Sequence, residues 1–289
     1  MSEVTVSVVI RCRDEAAHLE SVLEAVLGQA GAPPFEVLAL DSGSRDGTLD
    51  LLARHPVRVE RLPPGSFTFG GSLNRGAALA GGELVVYLSA HCRPLTPDWL
   101  AALTGPFADP DVVATFGRQV PVPGVNPIEA IAMERNFPPA PPAGVTFSNA
   151  NGALRRAAVL ARPFDEDIPA AEDHFWACGV RPTERITYVP AAAVAHSHPM
   201  TFREWRFRFY INGLAAEYAR RRGVELPWGG DTVGRVLFGR VGAFVRLAGT
   251  LARSGALPAL ARLPSYAVAR TFWYARGLRD GARRYGGGR

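Results

Sequence analysis

The sequence predicts an α/β protein, in which a mostly parallel sheet carries helices on both faces, followed by a basic helical extension. Two observations predict this architecture. Short β-branched runs alternate with helix-like segments over the first half of the chain, and arginines recur among apolar residues near its end. We therefore predict a first domain over residues 1–200 and a C-terminal extension over residues 201–289.

The first half alternates in the order β-α-β-α-β-α-β, which is typical of a parallel sheet covered on both sides. The first helix is indicated by Leu19, Val22 and Val26, whose spacing places them on one face. The predicted strands are 4–11, 35–40, 57–62, 83–88 and 112–116, and the predicted helices are 15–29, 48–54, 73–80 and 99–103. A Pro-rich loop follows at 136–144, and the chain is predicted to be helical from Met200 almost to its end.

Composition excludes several classes of protein. The chain is 47% hydrophobic and 20% charged, which is typical of a folded protein rather than a disordered one. Cys12, Cys92 and Cys178 are odd in number and contain no CxxC pair, so we expect reduced thiols in a cytoplasmic protein. The apolar run at the N-terminus is too short for a signal peptide, and no apolar stretch approaches the roughly 20 residues that span a bilayer.

Charge is distributed unevenly along the chain. Residues 1–199 carry 15 Arg and 22 acidic residues, a net charge of −7, whereas residues 200–289 carry 17 Arg and 5 acidic residues, a net charge of +12. A basic tail indicates an anionic partner, either lipid headgroups or nucleic acid. A solvated helical face or an oligomer contact explains the same charge equally well.

Polar residues follow three of the predicted strands, at 11–15, 41–46 and 89–93. In open parallel sheets, ligands bind outside the carboxyl ends of the strands. A mononucleotide lying there would meet Asp41 for hydrogen bonds to its base or ribose and arginines for its phosphates. The sequence contains neither GxGxxG nor GxxxxGK[ST], so it predicts neither a dinucleotide site nor a P-loop.

Several motifs occur together in a recognisable order. They are SVVIRCRDEAAHLESVLEAVLGQ, EVLALDSGSRDGT, FGGSLNRGAALAGGELVVYLSAHCRP, FSNANGALRR, PFDED and AAEDHFW. In this order the sequence resembles the inverting GT-A glycosyltransferases of family 2 over residues 4–200. GRQVP, SNAN and HSH resemble its rhamnosyltransferase-like branch most.

The resemblance implies a nucleotide-sugar donor, an inverting displacement and a divalent cation. Asp41 matches the base-binding aspartate, and Asp173, after Glu172, matches the catalytic base. The predicted donor-binding residues are Arg11, Arg13, Glu15, Asp41, Ser42, Asn74, Arg75, Ser89, Ala90 and His91, and the predicted acceptor-side residues are Asn149, Asn151 and Trp176.

Each of these residues also has a structural interpretation. Asp41 suits a turn, and Glu172 with Asp173 suits the first turn of a helix, where the dipole favours carboxylates. Asn149 and Asn151 suit hydrogen bonds to their own loop, and Arg75 suits a surface ion pair.

The chain departs from the family where most members carry Asp-x-Asp, because Ser89, Ala90 and His91 occupy that position. Two interpretations stay open. His91, His196 and His198 could hold Mn²⁺ or Mg²⁺, with imidazole replacing a carboxylate ligand. Alternatively, arginines and His91 neutralise the departing diphosphate without a metal, since the loss of hard oxygen ligands weakens a Mg²⁺ site.

These features together predict a glycosyltransferase that moves a sugar, with rhamnose the first candidate, from a dTDP- or UDP-sugar to a glycan, a lipid-linked acceptor or another hydroxyl. The alternatives are an inactive nucleotide-sugar-binding protein that serves as a membrane or partner adaptor, and a sugar nucleotidyltransferase.

Arginines beside aromatic residues in the C-terminal extension predict peripheral attachment to the anionic inner face of the cytoplasmic membrane. Helix packing or a homodimer is the competing interpretation, and no motif for nucleic acid accompanies the tail.

Overall fold

The computed structural model describes residues 5–140, 147–196, 201–226 and 241–286. Eight strands lie within these residues: β1 (Val6–Cys12), β2 (Phe35–Asp41), β3 (Arg58–Arg61), β4 (Leu84–Ser89), β5 (Cys92–Pro94), β6 (Val112–Pro121), β7 (Asn151–Arg155) and β8 (Arg185–His196). The α-helices are α1 (Ala16–Leu27), α2 (Thr48–Leu52), α3 (Phe69–Leu79), α4 (Trp99–Thr104), α5 (Pro127–Asn136), α6 (Arg156–Ala161), α7 (Glu172–Cys178), α8 (Phe202–Arg221), α9 (Val241–Arg253) and α10 (Leu257–Arg284).

All eight strands form one sheet, in the order β3-β2-β1-β4-β7-β6-β8-β5. The four strands predicted from the alternating pattern form its parallel half, where β2 pairs with β3 and β1 pairs with both β2 and β4. The other half is mixed, because β7 lies antiparallel to β4 and β6, and β5 lies antiparallel to β8. None of β5, β7 and β8 is predicted from the sequence; β5 and β7 are short, whereas β8 has 12 residues.

The sheet has a hydrophobic core on each face. Along β1, Val8 and Ile10 point into one core while Val9 points into the other, as the period of two in a strand requires. Helix α1 covers the first face with Leu19, Val22, Leu23 and Val26, and α3 covers the second with Leu73 and Ala77. The predicted α/β fold with helices on both faces is therefore confirmed.

The described residues of the C-terminal extension, 201–226 and 241–286, are mostly helical, and two of their helices cross in close contact; the part of the predicted helical tail at 227–240 lies outside the described residues. A Cβ atom built on Gly213 of α8 would lie 2.2 Å from the carbonyl oxygen of Tyr274, and one on Gly277 of α10 would lie 2.1 Å from that of Tyr210. Because no side chain fits at either position, the two backbones touch. Trp205 contacts Tyr266 near the start of this pair and Glu217 approaches Gly281 near its end, so the two helices run in the same direction.

The extension also packs against the first domain. Trp205 joins Ile128 of α5 in a shared apolar cluster, and its indole N–H donates to Glu129 Oε1 at 2.8 Å. Within the residues that the structure describes, no helix is both long enough and apolar enough to cross a membrane. The division of the chain near residue 200 stays a prediction.

Candidate functional site

Three parallel strands end at the same level of the sheet. In the register of the sheet Arg11 lies beside Ser89 of β4, and Cys12 lies beside Asp41 of β2. The polar residues that follow these strands in sequence are therefore neighbours in space. This edge, formed by the carboxyl ends of β1, β2 and β4, is called the strand-end site below.

Asp41 closes the turn that follows β2. The residue is 2% exposed, and its carboxylate accepts hydrogen bonds from the backbone N–H groups of Gly43 at 3.0 Å and Ser44 at 3.2 Å. The hydroxyl of Ser42 donates to the carbonyl of Cys12 at 3.3 Å, which fastens this turn to β1. A carboxylate has about four acceptor positions, so Asp41 can bind a further donor while it holds its turn.

A set of hydrogen bonds not predicted from the sequence joins the loops after β1 and β2. The backbone N–H of Asp14 donates to Ser44 Oγ at 2.9 Å, and that of Glu15 donates to Thr48 Oγ1 at 2.8 Å. Asp46 accepts from Thr48 Oγ1 at 2.6 Å, and this bond is the largest cause of the lowered pKa of Asp46. Asp14 itself has a φ of 53°, a left-handed conformation that the two joined loops hold in place.

Arg11 connects the strand-end site to the predicted catalytic pair. Its Nη2 donates to Asn149 Oδ1 at 2.9 Å, and its Nη1 lies 3.9 Å from Glu172 Oε1. Asn149 Nδ2 in turn donates to the same Glu172 oxygen at 2.7 Å, and the backbone N–H of Asn149 donates to Asp173 Oδ2 at 3.3 Å. Residues from three separate motifs therefore form one hydrogen-bonded group, called the Arg11 network below.

Burial changes the acidity of Glu172. The side chain is buried, and desolvation followed by the charge of Asp173 raises its pKa to about 7, although Arg11 and Asn149 act in the opposite direction. Glu172 and Asp173 form the first turn of α7, and the residue before them, Ala171, has a left-handed backbone with φ 64°. A non-glycine residue in this conformation costs about 1 to 3 kcal/mol, so the surrounding contacts must hold the turn.

Two histidines lie together beside the strand-end site. The rings of His91 and His196 are stacked, with centroids 5.2 Å apart and an angle of 24° between their planes. His91 Nδ1 lies 2.8 Å from Glu15 Oε1, and His196 Nδ1 lies 2.6 Å from Gln119 Oε1. A carboxylate or amide oxygen on one ring nitrogen is the usual support of a histidine that binds a metal through the other.

Cys92 adds a third donor to this pair. Ligand atoms of His91, Cys92 and His196 all lie within 4.8 Å of one another. Two imidazoles and a thiol suit Zn²⁺ or a similar borderline ion, whereas Mg²⁺ prefers oxygen ligands. The residues present therefore fit a transition metal and fit Mg²⁺ poorly. The predicted ligand His198 lies outside the described residues.

Two predicted acceptor-side residues, Asn151 and Trp176, make buried structural contacts. Asn151 is fully buried; it accepts from the Trp99 indole at 3.0 Å and donates to the carbonyl of Ala192 at 2.9 Å, which ties α4 to β8. Trp176 is 3% exposed, donates to the carbonyl of Arg162 at 2.7 Å and stacks in the core. Contact of either residue with an acceptor stays a prediction.

Other predicted donor residues lie apart from the Arg11 network. Asn74 bonds both backbone groups of Phe164, and Arg75 pairs with Glu60 on the surface, with Nε 3.2 Å from Oε1. Ala90 is fully buried and contributes no polar side chain, and Arg13 extends into solvent near Asp14. Donor contact by these residues stays a prediction.

A cleft of about 500 Å³ lies elsewhere, between α5 and the C-terminal extension. Ile128, Trp205 and Tyr266 are among its lining residues. None of the residues lining this cleft belongs to the strand-end site or to the Arg11 network. Its size alone therefore does not make it the centre of the chemistry.

The sequence of this chain is similar to those of known glycosyltransferases. The family model for glycosyl transferase family 2 matches residues 7–152. Two O-antigen chain rhamnosyltransferases from Salmonella are similar in sequence: WbaN of Salmonella anatum is 28% identical over 63% of this chain and 62% of its own length, and RfbN of Salmonella typhimurium is 27% identical over 67% of each chain. The matched segments thus span about two thirds of these relatives.

Solved structures show the same fold. The mannosyltransferase PcManGT from Pyrobaculum calidifontis, in complex with GDP-Man and Mn²⁺, superposes with a TM-score of 0.61 at 20% identity, covering 96% of this chain and 86% of that one. Glucosyl-3-phosphoglycerate synthase from Mycobacterium tuberculosis, with Mn²⁺, UDP and phosphoglyceric acid, superposes with a TM-score of 0.58 at 20% identity, covering 77% and 80%. The GT-A architecture is shared, and the chain belongs to glycosyl transferase family 2.

Proposed function

We propose that this protein is an inverting glycosyltransferase that moves a sugar from a nucleotide-diphosphate donor to a hydroxyl of a glycan or lipid-linked acceptor. The observation that carries this proposal is the Arg11 network, which joins the ends of the donor-side strands to Glu172 and Asp173. Rhamnose, from a dTDP- or UDP-linked donor, is the first sugar to test, because the two similar curated proteins are named rhamnosyltransferases.

The reaction is a single displacement. Asp173 accepts the proton of the acceptor hydroxyl while the hydroxyl oxygen forms a bond to the anomeric carbon. The bond from that carbon to the diphosphate oxygen breaks on the opposite side, and its electron pair leaves with the diphosphate. The configuration is therefore inverted, and positive groups at the strand-end site, Arg11 among them, stabilise the negative leaving group.

Glu172 influences this step through its charge. Its carboxyl group is held by Asn149 and faces Arg11, so its own charge state sets the local field at Asp173. A Glu172 carboxyl group that holds its own proton does not compete for the proton of the acceptor hydroxyl.

A divalent cation would be held by His91, Cys92 and His196, the three residues whose donor atoms cluster beside the strand ends. When bound, such an ion would neutralise charge on the diphosphate of the donor. The bound Mn²⁺ in two structurally similar proteins supports this proposal. The metal-free alternative, with arginines and His91 in its place, predicts transfer in the presence of a chelator.

The C-terminal extension carries a surface suited to an anionic membrane. Leu257, Ala261, Pro264, Val268 and Phe272 follow one another at helical spacing on α10, and all are exposed, Val268 by 69%. The same helix has six arginines and one acidic residue, and residues 200–289 have a net charge of +12. An apolar stripe bordered by arginines is typical of helices that lie in a membrane interface, so we propose peripheral attachment at the cytoplasmic face.

Replacing the proposed base should stop transfer without weakening donor binding. We expect Asp173→Asn to lower kcat by about 10² to 10⁴ fold, because an amide cannot accept the proton. Nucleotide diphosphate affinity, measured by calorimetry, should stay within about twofold of wild type, since Asp173 does not face the donor phosphates in this mechanism. Asp50→Asn, at an exposed position of α2, is the matched control. An Asp173→Asn enzyme with most of its turnover would remove Asp173 from this role.

The raised pKa of Glu172 makes folding stability depend on pH. Unfolding lets the carboxyl ionise near its ordinary pKa of 4.5, whereas the folded protein holds the proton until about pH 7. The stability of wild type relative to Glu172→Gln should therefore fall as pH rises from 4.5 to 7 and change little above that range. Urea unfolding at several pH values measures this difference, with Glu24→Gln on α1 as the control. A difference that moves the opposite way would show Glu172 to be ionised in the folded state.

Metal binding can be measured apart from activity. We expect Mn²⁺ to bind the wild-type protein in the presence of nucleotide diphosphate, and Zn²⁺ to bind more tightly than Mg²⁺, because the donors are nitrogen and sulfur. His196→Ala and Cys92→Ser should weaken this binding in calorimetry, and His18→Ala, exposed on α1, should not. Absence of Mn²⁺ and Zn²⁺ binding, with transfer unaffected by a chelator, would establish the metal-free alternative.

Membrane attachment should depend on the stripe of α10. We expect the protein to float with vesicles that contain anionic phospholipid, and less so at high salt, because exposed charges are screened. Val268→Asp should reduce flotation severalfold, since it places a negative charge in the stripe. Leu160→Asp, which changes a residue 48% exposed on α6, is the matched control. Wild-type protein that stays in the soluble fraction at low salt would contradict this proposal.

A further inference from the structure

The loop that leads into the catalytic pair is organised by one carboxylate. Asp165 follows Phe164 of the core, and its Oδ1 accepts hydrogen bonds from the backbone N–H groups of Asp167 at 2.9 Å and Ile168 at 3.0 Å. The loop then continues to Ala171, the left-handed residue that precedes Glu172. The direction in which α7 begins therefore depends on how residues 165–171, called the base loop below, are held.

Side chains at the C-terminal end of α8, in the C-terminal extension, contact the base loop and hold it in place. The hydroxyl of Tyr218 lies 2.9 Å from both carboxylate oxygens of Asp165, and Tyr218 is only 2% exposed. The Arg222 guanidinium lies 3.5 Å from the centre of the Tyr218 ring and 4.0 Å from Asp165 Oδ2. A buried hydroxyl bonded to a carboxylate is a charge-assisted contact, stronger than a hydrogen bond between neutral groups.

Apolar packing joins the same two segments. Ile168 and Ala170 of the base loop share a buried cluster with Ala215 and Ala219 of α8. Phe175 of α7 meets the Tyr218 ring edge to face at 6.2 Å. The loop and the first turns of α7 thus lie directly on α8.

The opposite side of the base loop is fixed by backbone contact. A Cβ atom built on Gly70 of α3 would lie 2.2 Å from the carbonyl oxygen of Asp165, so the loop touches the α3 backbone there. The loop is therefore enclosed between α3 of the first domain and α8 of the extension. A shift in either helix changes where Glu172 and Asp173 are presented.

From these contacts we propose that α8 is part of the catalytic apparatus, with Tyr218 as a positioning residue that acts through Asp165 on the base loop. This inference rests on the proposed role of Asp173. It assigns to the C-terminal extension a task in the reaction that is separate from any contact with a membrane. The Tyr218 hydroxyl does not take part in bond making; it fixes the position of the group that does.

The test is the separation of turnover from donor binding. We expect Tyr218→Phe to lower kcat by about 10 to 100 fold, since a misplacement of about 1 Å can have an effect of this size. The affinity for nucleotide diphosphate should stay within twofold, because the strand-end site is unchanged. Tyr210→Phe is the matched control: its hydroxyl bonds Asp280 of α10 at 3.3 Å, within the extension. Tyr210→Phe should keep wild-type kcat.

Two further variants separate positioning from general stability. Asp165→Ala should lower kcat at least as much as Tyr218→Phe does, and adding Tyr218→Phe to it should lower kcat no further, because the Tyr218 hydroxyl acts through Asp165. Arg222→Met, on a partly exposed side chain, should lower kcat in the same direction by a smaller factor and serves if Tyr218→Phe does not fold. Equal kcat in wild type and Tyr218→Phe, or additive losses in the double variant, would overturn the inference.

Failure of this inference is distinguishable from failure of the proposed function. If wild type transfers no sugar from any of a panel of nucleotide sugars, then the proposed function is wrong. If wild type transfers sugar and Tyr218→Phe and Arg222→Met do so at the same rate, only the positioning role is wrong.

Discussion

The candidate site depends on one positive charge that is only 14% exposed, the Arg11 side chain. Arg11 lies at the end of the central strand β1, and its side chain is met by Asn149 and Glu172 from distant parts of the chain. A guanidinium with so little exposure needs to be paired and hydrogen-bonded, so its neighbours are held to a fixed arrangement. That requirement brings α7, with Glu172 and Asp173, to the edge where three parallel strands end.

The structure connects this edge to the rest of the molecule by two kinds of contact. The loops after β1 and β2 are tied together by side chains that accept backbone N–H groups, which makes the strand-end site rigid. The base loop is held by packing between α3 and α8, with a strained Ala171 at its end. One half of the site is thus preorganised by hydrogen bonds and the other by the position of helices.

The parallel half of the sheet and the residues at its strand ends could be predicted from the sequence, because apolar runs and turn residues are local signals. The same signals, with the family resemblance, predict Asp41 and the Glu172–Asp173 pair as site residues, and their roles stay predictions. The short strands β5 and β7 could not be predicted, since their stability comes from neighbours rather than from their own residues. The burial of Asn151 and Trp176, and the contact of Tyr218 with Asp165, depend on tertiary packing that no local pattern carries.

The crossing of α8 and α10 at Gly213 and Gly277 has a mechanical consequence. Side chains between packed helices can normally change rotamer, which lets one helix shift slightly without moving the other. Here main chain rests on main chain, so such side chains are missing at the crossing. A tilt of α10 is therefore transmitted directly to α8. From α8 it reaches the base loop, which packs against another face of that helix.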